Sequence, residues 1–337
     1  MLKGLIPVFV DWVTLRQDHG ADGCPVINGG QFFSRDESGE IDWMVDKRAG
    51  FEGSFDSRCD LRSDGATVEF SGNISRFNRR DNLFGYDWPE TIRRINQLLN
   101  LYSIPPFTSG KLYRFADHGW TWTGARVSRI DITMNRATFS AENASVVLSQ
   151  LAGQHVGRQK GRLSVDGSTV EYGRGSKYVY GKCYSKYAEF INHRRKKSGR
   201  HVDEEVIEFA QRMGVLREEF TLKSRFLTQN QLCYLGQITH DALVEVFMHR
   251  TQFKRFDQIE HDSFSDLPRR LKTTYASWKL GMPHGLAERT YFRHRRELLK
   301  YGIDISVPCN GQLLPIRIKV IDVAALEAPD WYRVKYG

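Results

Sequence analysis

The chain has 337 residues, 40% hydrophobic and 26% charged, enough for a sizeable core and long enough for two domains. Its 49 Lys and Arg against 40 Asp and Glu leave a net charge of +9, which points to a polyanionic partner. No apolar run approaches membrane-spanning length, and Cys24, Cys59, Cys183, Cys233 and Cys309 share no metal or redox spacing; these features argue against a membrane protein or a disulfide scaffold and predict reduced thiols in a cytosolic protein.

The opening MLKGLIPVFVDWVTL is broken by Asp11 and lacks a small-residue cleavage site, so it predicts a first strand and no signal peptide. LIPVFVDW, GGQFF and ATVEFSGN predict strands. A helix is expected over 89–102, with Pro89 in its first turn and Ile92, Ile95, Leu98, Leu99 and Tyr102 in one stripe. Strands follow at about 110–115 and 126–135, then a helix over about 141–152 with Ser140 as N-cap and Gly153 past its end. Residues 168–173 and 177–186 predict a hairpin around the turn-rich GRGS. Beyond the basic stretch NHRRKKSGRH at 192–201 come a helix at about 203–213, the strand VLREEFTLK, helical pattern from about 225 to 300, and the strand-rich LLPIRIKVIDV. Without regular βαβ spacing the fold class is α+β: an antiparallel sheet with helices packed on one face and an open catalytic face. The expected division is 1–228 and a helical C-terminal region, 229–337.

Strand periodicity places the chemistry. Tyr180, Lys182, Tyr184 and Lys186 share one face of the second hairpin strand; the small Gly181, Cys183 and Ser185 on the other leave room for a helix behind the sheet. RVSRIDITMN puts Arg129, Asp131 and Thr133 opposite Ile130, Ile132 and Met134. LREEFTLK puts Arg217, Glu219 and Thr221 opposite Leu216, Phe220 and Leu222. Both strands read Arg-x-acid-x-Thr, a pattern a duplicated half would leave. A tyrosine can attack a phosphodiester and hold the cut end as an ester, given help to lose a proton whose ordinary pKa is about 10. The flanking Lys182 and Lys186 favour phenolate and stabilise a leaving alkoxide. A divalent cation needs hard oxygen ligands; Asp131 and Glu219 are the best candidates, Glu69 a third, and Glu218 falls on the apolar side. Histidine ligation is disfavoured, since no H-x-H or H-x-x-x-H pair occurs. Arg194, Arg195, Lys196 and Lys197 in the basic stretch are candidate phosphate contacts, as are Arg129, Arg217 and Tyr180 on the polar face.

These segments together resemble the replication initiators of filamentous bacteriophages, the gene II family, and are more distantly similar to plasmid rolling-circle initiators. SRIDITMN resembles the family's S-R-I-D strand, and STVEYGRGSKYVYGKCYSK its hairpin ending in Y-x-K. LREEFTLKSRFL resembles R-x-E followed by K-x-R-[YF]-L. GNISRFNRRDNLFG resembles a loop ending in N-[LV]-F-G, and CNGQLLPIRIKVIDVAALEAPDWY the closing segment. The resemblance implies Mg²⁺- or Mn²⁺-dependent nicking of one strand of replicative-form DNA at an origin. The nick leaves a 3′ hydroxyl primer, and the displaced strand is later cut and circularised. It also implies Tyr184 as nucleophile, Lys186 and Glu189 beside it, and Asp131 and Glu219 as the acids. Tyr180 and Tyr187 flank Tyr184 and leave the nucleophile assignment open, and Glu218 leaves the ligand assignment open. Origin duplex, displaced single strand and host helicase and polymerase are the implied partners, in the bacterial cytoplasm.

Near the end, LKTTYASWKLGMPHGLAERTYFRHRRELLKYGI predicts two helices broken at Pro283 and Gly285. Leu286, Phe292, Leu298 and Leu299 point inward, and Arg289, Arg293, Arg295 and Arg296 outward. This pattern resembles a helix-turn-helix, winged by the strand-rich segment that follows. The rival function is a non-catalytic origin or operator binder; an RNA-binding sheet protein is a third class.

Overall fold

The computed structural model describes residues 7–336 apart from 21–23, 56, 116–118, 157–158, 195–201, 253–266, 301–302 and 309–320. The chain divides into two units, Met1–Phe256 with Asp322–Gly337, and Asp257–Ile321.

In the first unit the strands are β1 (Phe9–Asp18), β2 (Gln31–Arg35), β3 (Ile41–Asp46), β4 (Ala49–Gly53), β5 (Ser57–Ser63) and β6 (Thr67–Gly72). Then come α1 (Trp88–Leu101), β7 (Leu112–Phe115), β8 (Gly119–Trp122), β9 (Arg126–Ala137), α2 (Ala141–Ala152), β10 (His155–Val156), β11 (Gln159–Lys160), β12 (Arg162–Leu163), β13 (Thr169–Tyr172) and β14 (Val179–Ser185). The remainder is α3 (Lys186–Arg194), α4 (Glu204–Arg212), β15 (Leu216–Lys223), α5 (Ser224–Gln229) and α6 (His240–Thr251). The main sheet runs β12-β13-β14-β15-β9-β1-β6-β5-β4, and every pairing is antiparallel. The α+β expectation therefore holds.

Alternation decides the two faces. Val13 and Leu15 of β1, Ile130 and Ile132 of β9, and Phe220 and Leu222 of β15 are buried together with Ile95 and Leu99 of α1 and Leu243 and Phe247 of α6. Asp87 caps α1 through its side chain, Pro89 lies in the first turn, and Ser140 caps α2, as the sequence predicts. The small side of β14 serves a side chain first. A Cβ on Gly181 would stand 3.1 Å from the Phe220 ring, which packs edge-on against Phe247 at 5.3 Å. Gly214, at φ +54°, turns the chain from α4 into β15, where any Cβ would strike the Ser140 carbonyl at 2.1 Å.

Two boundaries differ from expectation. Residues 229–251 pack into the core of the sheet unit, through Leu232, Leu235, Ile238, Leu243 and Phe247, so position 228/229 falls inside it. The end of the chain also returns: β16 (Ala324–Ala325) pairs with β9 beyond β1, and α9 (Asp330–Tyr336) follows. Buried Tyr332 donates to Asp81 and accepts from Arg79 and the Phe84 amide, fastening the segment 73–87.

The second unit holds α7 (Arg269–Lys279) and α8 (Glu288–Leu299). Leu271 and Tyr275 meet Leu298, Ile303 and Ile305, and Thr274 hydrogen-bonds His294 at 2.8 Å. Because His294 and Leu298 form the inward row, Phe292 and Leu299 are exposed rather than inward, and Leu286 precedes the helix. The strand-rich segment expected as a wing lies mostly outside the described residues.

Tyr332→Phe removes the donor to Asp81 and the acceptor for Arg79. It is expected to lower unfolding free energy by about 1–3 kcal/mol in a urea titration; an unchanged midpoint would show that the return segment does not fasten this region.

Candidate active site

Four adjacent strands direct polar side chains to one patch. In register, Tyr184 of β14 lies opposite Arg217 of β15, and Lys182 opposite Glu219. Glu219 in turn lies opposite Thr133 of β9, and Thr221 opposite Asp131. The two Arg-x-acid-x-Thr strands are thus antiparallel neighbours, each acid facing the other's threonine. The acids sit on a diagonal, where Cα atoms are about 7–8 Å apart.

β1 adds a residue that alternation hides. Val10 pairs with Ile132 and Trp12 with Asp131, so Asp11 is the extra residue of a β-bulge. Its Oδ1 accepts from Asn73 at 2.9 Å and Asn82 at 3.3 Å, and stands 3.6 Å from Arg217 Nη1. The segment 73–87 crosses this end of the polar face. Arg217, 0% exposed, donates to the Asn82 and Leu83 carbonyls and to Asn135 Oδ1. The N-L-F-G stretch of the sequence is therefore the cover of the site, and Asn82 its hinge pin: it donates to Asp11 and accepts from Lys186 Nζ at 3.0 Å.

Tyr184 is 8% exposed, but its surroundings are ionic. Lys182 Nζ stands 5.0 Å and Lys186 Nζ 5.9 Å from its ring centroid. Burial, then Glu189, holds its phenol well above the usual range, against the pull of Arg217. Lys186 is not on the strand face: β14 ends at Ser185, and Lys186 begins α3, fully buried, bonded to Asn82 and Glu189. Burial and then Arg217 push its amine down to about 8. Burial raises the Glu189 carboxyl, but Lys186 and Arg217 outweigh it and leave it below the ordinary range.

Asp131, 2% exposed, is gripped through both oxygens by Arg129, at 2.8 and 2.6 Å, while Arg129 lies over the Trp12 ring at 5.1 Å. Glu219, 3% exposed, gives Oε1 to Lys182 at 3.0 Å, while its buried Oε2 and the Thr133 hydroxyl have no hydrogen-bond partner. Burial raises both carboxyl pKa values; Arg129 opposes it at Asp131 and Lys182 at Glu219, while Asp11 adds to the rise at both. Among the described residues no three His, Cys, Asp or Glu side chains form a ready-made metal cage. Mg²⁺ needs only one or two carboxylates with water and a substrate phosphate, so crowded, desolvated carboxylates with an unpaired oxygen fit it.

Several expected residues lie elsewhere. Glu69 is ion-paired with Arg16, Arg48 and Arg62, further along β1 and β6, because β-pairing sets it opposite Arg16 rather than near Asp131. Arg217 is wholly buried under the segment it binds and offers no surface to DNA. Glu218 lies on the helix side, bonded to Arg136 and Thr251. Tyr180 donates to Glu171 at 2.7 Å, and half-buried Tyr187 packs in the core formed by α3 and α4. Arg194 is exposed and pairs with Glu204; Arg195, Lys196 and Lys197 lie outside the described residues. Arg289, Arg293 and Arg296 are exposed on α8.

The chain was compared with known proteins. Two family models, the N-terminal and the C-terminal part of a phage replication-associated protein encoded by gene II, match residues 9–241 and 260–336 respectively. The chain is similar to the replication-associated protein of that family from Escherichia phage If1, 28% identical over 306 residues, 80% of this chain and 95% of that one. It is equally similar to the corresponding protein of Enterobacteria phage I2-2, 28% identical over 350 residues and 96% of each chain. The solved rolling circle replication initiator protein from Geobacillus stearothermophilus aligns at 12% identity over 75% of this chain and 86% of that one, with a TM-score of 0.30.

If Arg217 is a structural tie, Arg217→Leu strips Asp11 and two carbonyls of their partner and costs about 3–5 kcal/mol of stability. Urea unfolding measures this; an unchanged midpoint with weakened DNA binding would instead make Arg217 a DNA contact.

Proposed function

The chain belongs to the gene II family of phage replication-associated proteins, and from that premise we propose that it initiates rolling-circle replication by nicking one strand of phage replicative-form DNA. The supporting observation is a tyrosine set between a buried and a half-buried lysine, on the same sheet face as two desolvated carboxylates.

The Tyr184 phenol oxygen attacks the scissile phosphorus. The bond from phosphorus to the 3′ oxygen breaks, the 5′ phosphate stays on Tyr184, and the 3′ oxygen leaves as the hydroxyl that primes synthesis. Lys186, whose amine exchanges its proton near pH 8, takes the phenolic proton. Lys182, still cationic and half-buried between Tyr184 and Glu219, holds the phosphate and offsets charge on the leaving oxygen. Asp131 and Glu219 belong to the carboxylates that hold Mg²⁺ or Mn²⁺, which when bound polarises the phosphate. Placing the nucleophile on a strand anchored on both sides keeps the attack in line. Attack of a later 3′ hydroxyl on the tyrosyl phosphate reverses the chemistry and closes the displaced strand into a circle. Arg129 and the arginines Arg289, Arg293 and Arg296 contact backbone phosphates, and host helicase and polymerase extend the primer in the bacterial cytoplasm.

Incubation with supercoiled origin DNA and Mg²⁺ should give a nicked circle with a protein-linked end. Tyr184→Phe should reduce this roughly 10⁴-fold or more while sparing DNA binding; nicking at wild-type rate by that variant removes Tyr184 as nucleophile. Asp131→Asn and Glu219→Gln should each slow cleavage at limiting Mg²⁺. The neutral amine is the proton acceptor, so the single-turnover rate should climb as pH rises through about 8 and then level. Lys186→Arg, always charged, should lose that climb; an identical pH profile would exclude Lys186 as the base.

A further inference from the structure

Resting on the nicking reading above, we propose that Asp11 and Thr133 join Glu219 as the oxygen donors of the divalent-cation site, ahead of Asp131. Both residues lie where three neighbouring strands meet. Thr133 is directly opposite Glu219 on one side and Phe9 on the other, so the β1 bulge carrying Asp11 borders it.

The hydrogen bonds separate the carboxylates. Both oxygens of Asp131 are taken by Arg129. The contacts to Asp11 all converge on Oδ1, from Asn73, Asn82 and Arg217, leaving Oδ2 for another partner. Glu219 is engaged through Oε1 and has Oε2 buried without a partner. The Thr133 hydroxyl, on a 0% exposed residue, is a second unpartnered buried oxygen on this face. Leaving such atoms unpaired costs free energy that one cation, accepting lone pairs from all three, recovers. Asn73 and Asn82 then orient a ligand through its other oxygen, the arrangement usual around metal carboxylates. Asp131 with Arg129 stands beside the ion and holds a guanidinium ready for phosphate.

Mn²⁺ binding to the full chain, followed by electron paramagnetic resonance without DNA, tests this. Asp11→Asn keeps the Oδ1 acceptor and replaces Oδ2; it should weaken Mn²⁺ at least about tenfold, and more than Asp131→Asn does. Thr133→Val should also weaken Mn²⁺. It should leave the metal-free melting temperature equal or higher, since the hydroxyl it removes makes no hydrogen bond. Wild-type affinity in Asp11→Asn, or a lower metal-free melting temperature in Thr133→Val, overturns the assignment while wild-type nicking leaves the functional reading intact. A folded, DNA-binding wild type that neither takes up Mn²⁺ nor nicks overturns both.

Discussion

Arg217 is the interaction on which the site depends. A guanidinium at 0% exposure is stable only if its donors are met, and here carbonyls of Asn82 and Leu83, Asn135 and Asp11 meet them. The same fork joins β15, β9, β1 and the segment 73–87. Its planar geometry fixes that segment over the end of the polar face and so brings Asn82 between Asp11 and Lys186. The returning α9 braces the segment from its other side through Tyr332.

What the tie creates is a small volume in which charges are forced together out of water. Asp131, Glu219 and Tyr184 are each pushed toward their neutral forms, and Lys186 toward its own. Each shift expresses strain that a phosphate and a cation relieve, since burial penalises isolated charge and rewards paired charge. A solvent-exposed sheet with the same residues would have ordinary acidities and little to gain from either ligand.

Much of this was legible beforehand. Period-two patterning placed Asp131, Glu219, Lys182 and Tyr184 on one face and Glu218 on the other, and the capped helices α1 and α2 fell close to their predicted limits. Asp11 was visible only as an interruption in an apolar strand, because a bulge breaks the alternation that would have revealed it. The N-L-F-G stretch stood out as a motif without a role. Lys186 was assigned to a strand since nothing local distinguishes the last residue of a strand from the first of a helix. Glu69 shares its residue type and strand setting with the other acids, and only sheet order separates it from them.

The amino-acid sequence by itself determined the faces, the helix ends and the residue types that can cut a phosphodiester, because backbone periodicity and capping act over a few neighbouring positions. The tertiary structure alone decided which of those side chains share a site and whether a charge is solvated. Arg217 and the Asn82 carbonyl are 135 positions apart, and Asn73 and Asp11 are 62 apart. Burial and pairing at such separations follow from strand order, bulges and chain return, which no local pattern encodes.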